Sequence, residues 1–386
     1  MILRLCFILS TFLFYSGGGY KKTETPPQYS IPQKEEKPVS KTLKLIFAGD
    51  IMSQVPQIES AKEKDGSYDY VPCFQYIKPI LETADLAIGN LECTLSETPP
   101  YTGYPHFVSP NVLSKALKVN GFDVIVTSNN HSLDNRSYGV TNTIDVLRED
   151  GFVQTGTFKN QAVKDLMYPL IIYKNGFKLA LLNYTHHTNG FLTPYPTMVN
   201  RLRDMDAVKS DIDKAKALKP DFIIMFLHWG DEHKMHENAN QRGVAQQLKI
   251  WGADMVIGSH PHVVQPIKKE RFTYNKKQHE LLVAYSLGNF ISAQPFPNTE
   301  GGILAEVDLE KTETGTVVSD YHYIPVLRYT PYENGKMRFY ALPISAYEGK
   351  EDALKMPLHE RHKMAHFATK TRRHLDSFGV KERLFR

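Results

Sequence analysis

Residues able to hold divalent metal ions recur in this chain directly after apolar runs. LKLIFA runs into Gly49-Asp50, LAIGN into Leu91-Glu92, and VIVTSN, whose last residue is Asn129, into Asn130, His131 and then Asp134. FIIMFL leads to His228, Trp229 and Glu232, MVIG to Ser259-His260-Pro261-His262, and LLVAYS to Gly288-Asn289. Each motif alone is weak, since Gly-Asp after a strand is commonly a turn or a cap. Their joint placement is the signal. Carboxylates and imidazoles with one carboxamide oxygen suit a dinuclear divalent centre. Asp50 would give its carboxylate to one ion. Glu92, with two oxygens, would bridge two and offset their repulsion. Asn130 would ligate through its amide oxygen, and His228, His260 and His262 through ring nitrogen, with Pro261 stiffening the turn. His131, oriented by Asp134, suits proton donation to a leaving oxygen. Asn129, Trp229, Glu232 and Asn289, with Phe290, are expected around the pocket. His186-His187 reads as a rim feature, and His233 and His236 as solvated.

The elements that must position these residues alternate in type. Apolar runs at 43–48, 86–89, 124–127, 222–227, 255–257 and 281–285 predict buried strands. Amphipathic stretches at 74–83, 112–119, 138–149, 205–218 and 241–251 predict helices. Residues 170–173 and 177–183 predict a hairpin turning at Asn175-Gly176. This alternation predicts a layered α/β domain over 43–300, its strands parallel where helices connect them. Ligands then bind at the carboxyl ends of the strands, where the metal-competent residues fall. Residues 301–386 predict a small β-rich lobe with a basic helix.

Met1–Arg4, the apolar Leu5–Tyr15 and the small residues to Gly19 have the order of a secretory signal, cleaved or kept as an anchor. Gly17, Gly18 and Gly19 stand where a lipid-bearing Cys would be. Residues 20–42 are polar and Pro-rich, the composition of a flexible tether. An exported protein, periplasmic or at the cell surface, is expected. Net charge is +4, with basic residues concentrated toward the C-terminus, and nothing resembles a nucleic-acid module. Three cysteines exclude a disulfide framework; Cys73 and Cys93 are equally readable as a pair or as two buried thiols.

Six segments together resemble the bacterial capsule-synthesis (CapA, or PgsA) family: FAGDIM (47–52), ADLAIGNLECTLS (84–96), SNNHSLDN (128–135), LHWGDEH (227–233), GADMVIGSHPHVVQP (252–266) and YSLGNF (285–290). The resemblance spans about residues 43–291 and extends, more distantly, to calcineurin-like metallophosphoesterases. It implies a four-layer α/β/β/α sandwich and two divalent ions of Mn, Fe or Zn. It implies Asp50, Glu92, Asn130, His228, His260 and His262 as ligands and His131 as general acid. Met52 departs from the Asp-x-His of the wider superfamily, and Glu92 from its usual bridging Asp. The expected partners are an anionic polymer or a phosphorylated substrate, and membrane-bound subunits of a polymer synthase or exporter. Three activities follow from these expectations: phosphoester hydrolysis, amide hydrolysis on poly-γ-glutamate or peptidoglycan peptides, and a non-catalytic accessory role.

Overall fold

The computed structural model describes Tyr29–Ser30 and residues 41–385. The expected export segment at 1–19, and most of the expected tether at 20–42, lie outside the described residues. Within the tether, Tyr29–Ser30 pairs in parallel with Ile172 and Tyr173.

Strands β1 (Thr42–Ile51), β2 (Leu86–Leu91), β3 (Val124–Val126) and β4 (Val153–Thr155) lie parallel in that order in one sheet. Helices α1 (Val112–Val119) and α2 (Arg136–Glu149) make the last two crossovers. A second sheet opens with the antiparallel hairpin of β5 (Leu170–Lys174) and β6 (Phe177–Thr185), turning at Asn175-Gly176. Strands β7 (Phe222–His228) and β8 (Met255–Ser259) follow in parallel, linked through α3 (Met205–Ala217) and α4 (Ala239–Trp251). The antiparallel pair β9 (Ile267–Tyr274) and β10 (Lys277–Ala284) completes it, β10 lying against β8.

The apolar runs are continuous because both faces of each sheet are covered. In β1, Leu43, Leu45 and Phe47 pack against the second sheet beside Leu179, Ile224 and Ile257. Their neighbours Ile46 and Ala48 pack under helices with Leu117 of α1 and Leu147 of α2. In β6, Leu179 and Leu181 face the first sheet. Ala180 and Leu182 face Val208, Ile212 and Leu248 of α3 and α4. The period of two thus sorts alternate residues into separate cores. The result is the four-layer α/β/β/α sandwich.

Three elements differ from expectation. The helix expected over 74–83 is instead a 3-10 turn at Val71–Phe74 and a short helix at Lys78–Leu81. Pro72 and Pro79 each sit at the start of one piece, where a missing N–H costs least. Strand β9, IKKERFTY, is too charged to read as buried and forms a sheet edge. Residues 301–386 do supply strands and a helix, but the strands join the first sheet. Strand β11 (Gly301–Thr312) lies antiparallel to β1, followed by β12 (Gly315–Tyr329) and β13 (Tyr340–Pro343).

Helix α5 (Leu358–Asp376) buries Met364, Phe367, Ala368 and Leu375 in the central core. Its basic side chains largely have partners. Arg361 pairs with Asp352, Lys363 with Glu360, and Arg372 with Glu348 and Glu382; beyond the helix, Arg383 pairs with Glu306. Among the described residues, no helix is long and apolar enough to cross a membrane.

Candidate metal centre

Strand ends from both sheets meet at one point. Asp50 lies near the end of β1, Glu92 directly after β2, and Asn130 and His131 in the loop after β3. His228 ends β7, and His260 and His262 follow β8. A register shift in the pairing of β1 with β2 falls beside Asp50. Gly49 makes that bend possible, because a Cβ there would lie 2.1 Å from the Gly288 carbonyl oxygen. The same carbonyl accepts the Asp50 N–H at 3.0 Å.

All six expected ligands are buried. Asp50 Oδ2 lies 3.1 Å from His262 Nδ1 and accepts the His260 N–H at 3.2 Å. Around His228 Nε2 stand Asn130 Oδ1 at 2.9 Å, His260 Nδ1 at 3.1 Å and Glu92 Oε1 at 3.4 Å. Glu92 Oε1 is also 3.8 Å from His262 Nε2. Two ligand trios, Glu92-His228-His260 and Asp50-Glu92-His262, each bring their donor atoms within 4.8 Å of one another. They share Glu92, the position of a bridging carboxylate. Glu232, His260 and His262 form a third such trio at the outer edge, with Glu232 exposed.

Glu92 supplies the test of fit. Both of its oxygens are buried without a hydrogen-bond partner. A buried carboxylate left so is costly unless protonated or bound to a cation. Burial, reinforced by Asp50, drives its pKa well above the ordinary carboxylate value. Burial works the same way on Asp50, yet His262, His228 and the Asn90 amide hold it down at about 2. Burial also keeps His228 and His260 neutral, pushing His228 to about 3 and His260 well below its ordinary value. Neutral His228 and His260, an ionised Asp50 and an unsatisfied Glu92 form a donor set that fits divalent ions.

The Ser259–His262 turn is strained. His260 has φ +98° and His262 φ +59°, and non-glycine residues in such regions persist only when their surroundings hold them. Asn289, expected in the pocket wall, does part of that holding, its Oδ1 lying 3.1 Å from His262 Nδ1.

His131 Nδ1 is 2.6 Å from Asp134 Oδ2, which also accepts the Phe107 N–H at 2.6 Å. This fixes the ring and leaves Nε2 for a ligand. Asn129 is buried in the turn beneath it, donating to the Leu91 carbonyl at 2.7 Å and accepting the His131 N–H at 3.1 Å, so it shapes the loop rather than facing a substrate. Glu232 and His131 line the same two cavities at the site's mouth. Met52, where the wider superfamily has His, is buried and lines one of them.

Other residues stand elsewhere. Trp229 donates Nε1 to the Tyr285 carbonyl at 3.0 Å and, with His186 and His187, lines a different cavity of about 430 Å³. Phe290 is a core residue stacked on Phe74. His187 comes closer to the centre than a rim position suggests, its ring 5.0 Å from His260. His233, expected to be solvated, is half-buried and packs on Phe296 at the cavity mouth, 6.2 Å from the His262 ring. His236 is exposed, beside His374. Cys73 and Cys93 are both free thiols.

Sequence reasoning missed Asn90 and Ser259. Asn90 Nδ2 donates to Asp50 Oδ1 at 2.8 Å, and Ser259 Oγ lies 2.9 Å from His228 Nδ1. Partners of this kind orient ligands. Asn90, a polar residue inside an otherwise apolar buried strand, was the available signal.

The profile of the family described as bacterial capsule synthesis protein PGA_cap matches residues 44–294. The PGA biosynthesis protein CapA of Bacillus subtilis (strain 168) is 31% identical over 296 residues, 73% of each chain. The capsule biosynthesis protein CapA of Bacillus anthracis is 28% identical over 288 residues, 72% of this chain and 66% of that one. Among solved structures, a 5'-nucleotidase precursor from Thermus thermophilus superposes with TM-score 0.44 at 10% identity, over 86% of this chain and 59% of that one. The calcineurin-like phosphoesterase YfkN from Bacillus subtilis gives 0.42 at 14% identity, over 74% and 90%. Scores at that level add nothing to the architecture read from the sheets themselves. With its profile matched over most of the chain and a relative 31% identical along nearly three quarters of it, the chain belongs to the bacterial capsule synthesis (PGA_cap) family.

Proposed function

We propose that this protein is a metal-dependent phosphoester hydrolase serving the biosynthesis of a capsule or related surface polymer. The observation that carries the proposal is Glu92: a fully buried, unpartnered carboxylate among Asp50, His228 and His262, shared by two potential ligand trios. Asp50, Glu92, Asn130, His228, His260 and His262 would hold two divalent ions of Mn, Fe or Zn. When bound, such ions supply Lewis acidity and positive charge toward an anionic ester.

The chain's own residues do the rest. Asn90 and Ser259 keep Asp50 and His228 oriented. His131, its Nδ1 held by Asp134, turns Nε2 toward the leaving oxygen and donates the proton that oxygen needs. Phe107 packs on the His131 ring at 4.3 Å and stiffens its setting.

The two CapA relatives are named for capsule and PGA biosynthesis. The proposal places this protein in such a process, exported to the periplasm or cell surface on the strength of its N-terminal segment and working beside membrane-bound polymer synthase or export subunits. A purely accessory protein that grips an acidic polymer through α5 is less well supported, because that helix spends much of its positive charge on Glu348, Asp352, Glu360 and Glu382.

The test is metal analysis of the purified protein together with turnover of p-nitrophenyl phosphate and bis-p-nitrophenyl phosphate in added Mn²⁺. Bound metal with turnover of either ester is expected. Bound metal with no turnover of either removes the hydrolase reading.

A further inference from the structure

Two cavities share one trio of side chains. One, of about 340 Å³, is walled by Phe107, Pro295 and Phe296 and reaches His262. The other, of about 270 Å³, is walled by His106, Asn189 and Phe191 and reaches Asn130. Tyr104, His131 and Glu232 belong to both. The proton donor therefore stands at the divide between two spaces.

A phosphomonoester has one organic group and fills one such space. A substrate that uses both has an organic group on each side of the phosphorus. The walls specify what those groups are like. Among the described residues, no Lys or Arg lines either cavity, whereas Tyr104, Phe107, Phe296, His106 and Phe191 present rings, and Asn189 and Gln294 present amides. Tyr104 is 86% exposed and Phe296 49%, so both rings are open to a ligand. Glu232 adds a carboxylate at the divide, which repels any further anionic group nearby.

Resting on the phosphoesterase reading, the geometry points to a phosphodiester whose two flanking groups are uncharged and ring-bearing, cleaved at one of its two ester bonds. One P–O bond forms to water and one ester P–O bond breaks. The departing oxygen takes the proton held by His131, the proton lost by water passes to solvent, and the products are one alcohol and one phosphomonoester.

The experiment compares kcat/KM for bis-p-nitrophenyl phosphate and p-nitrophenyl phosphate on the full chain loaded with Mn²⁺. It also measures calorimetric binding of the diester to His131→Ala. Both probes carry uncharged aromatic groups. The diester is expected to be preferred, and to bind His131→Ala more tightly than the monoester does. Phe296→Ala in one cavity and His106→Ala in the other alter exposed side chains and leave the core intact. Each is expected to lower kcat/KM for the diester about tenfold, the scale of a lost ring contact, while the monoester, which fills one space, responds to only one of the two. Preference for the monoester, or a diester kcat/KM that only one of the two variants lowers, overturns the two-sided site while leaving the phosphoesterase reading intact. No turnover of either ester by metal-loaded protein overturns both.

Discussion

At the residue scale, the centre rests on Glu92, whose burial is tolerable only with a proton or a cation on it. Glu92→Gln removes the charge and keeps the shape. In the metal-free state the variant should be more stable than the parent at neutral pH by about 1–3 kcal/mol, the range for relieving a buried unsatisfied group. It should also lose the stabilisation that Mn²⁺ confers, about 2.7 kcal/mol at a hundredfold excess over Kd. Denaturant titration with and without Mn²⁺ measures both, and a variant still stabilised by Mn²⁺ to the parental extent counts against Glu92 as a ligand. His131→Ala should retain its metal, by direct metal analysis, while kcat falls by about 10²–10⁴. The residues legible in the sequence were those that follow a buried strand, because a polar side chain there has no packing reason to be His or Glu. Asn90 and Ser259 stayed hidden inside runs that read as core. His187 and His233 reach the site by tertiary approach, and neither local composition nor periodicity encodes that.

At the scale of elements, the strand pattern was legible because each apolar run is covered on both faces, so burial leaves its mark on every residue of β7 and β8 and on β1 from Leu45 onward. The break at Pro72 and Pro79 and the charged edge strand β9 were not, since a short amphipathic stretch and an alternating charged one read alike in more than one conformation. The close approach of β1 to the Leu287-Gly288 segment is a tighter constraint. Gly49→Ala would place a methyl group 2.1 Å from a backbone oxygen that has no side chain to move aside. The expected cost is more than about 3 kcal/mol, in the severe tail for single substitutions. Equilibrium unfolding followed by circular dichroism checks it, and metal affinity should fall in parallel because Asp50 is the next residue.

For the whole molecule, the proposed function makes protons and metal ions competitors at the point where the two sheets meet. Burial, then Asp50, raises Glu92 in the folded state, so the metal-free fold holds a proton there that the unfolded chain releases. That contribution to stability is complete below the unfolded carboxylate pKa and is lost as pH rises through the higher folded value. Burial lowers His228 and His260, so their contribution is complete above the ordinary His pKa and is lost as pH falls through the lower folded values. On the proposed function, a metal ion would replace the proton on Glu92. The gain in melting temperature at fixed free Mn²⁺ should therefore increase from about pH 5 to about pH 8. A gain that is flat or shrinks over that range contradicts the assignment.

The antiparallel seam between β1 and β11 also dictates timing. β1 leaves the ribosome well before β11, the strand that zips onto its open side. A nascent polypeptide therefore carries a bare, sticky edge next to Asp50 while the residues between the two strands are made. Closure of the first sheet waits for β11, and a chain released short of it should be recovered as aggregate rather than as a smaller working protein.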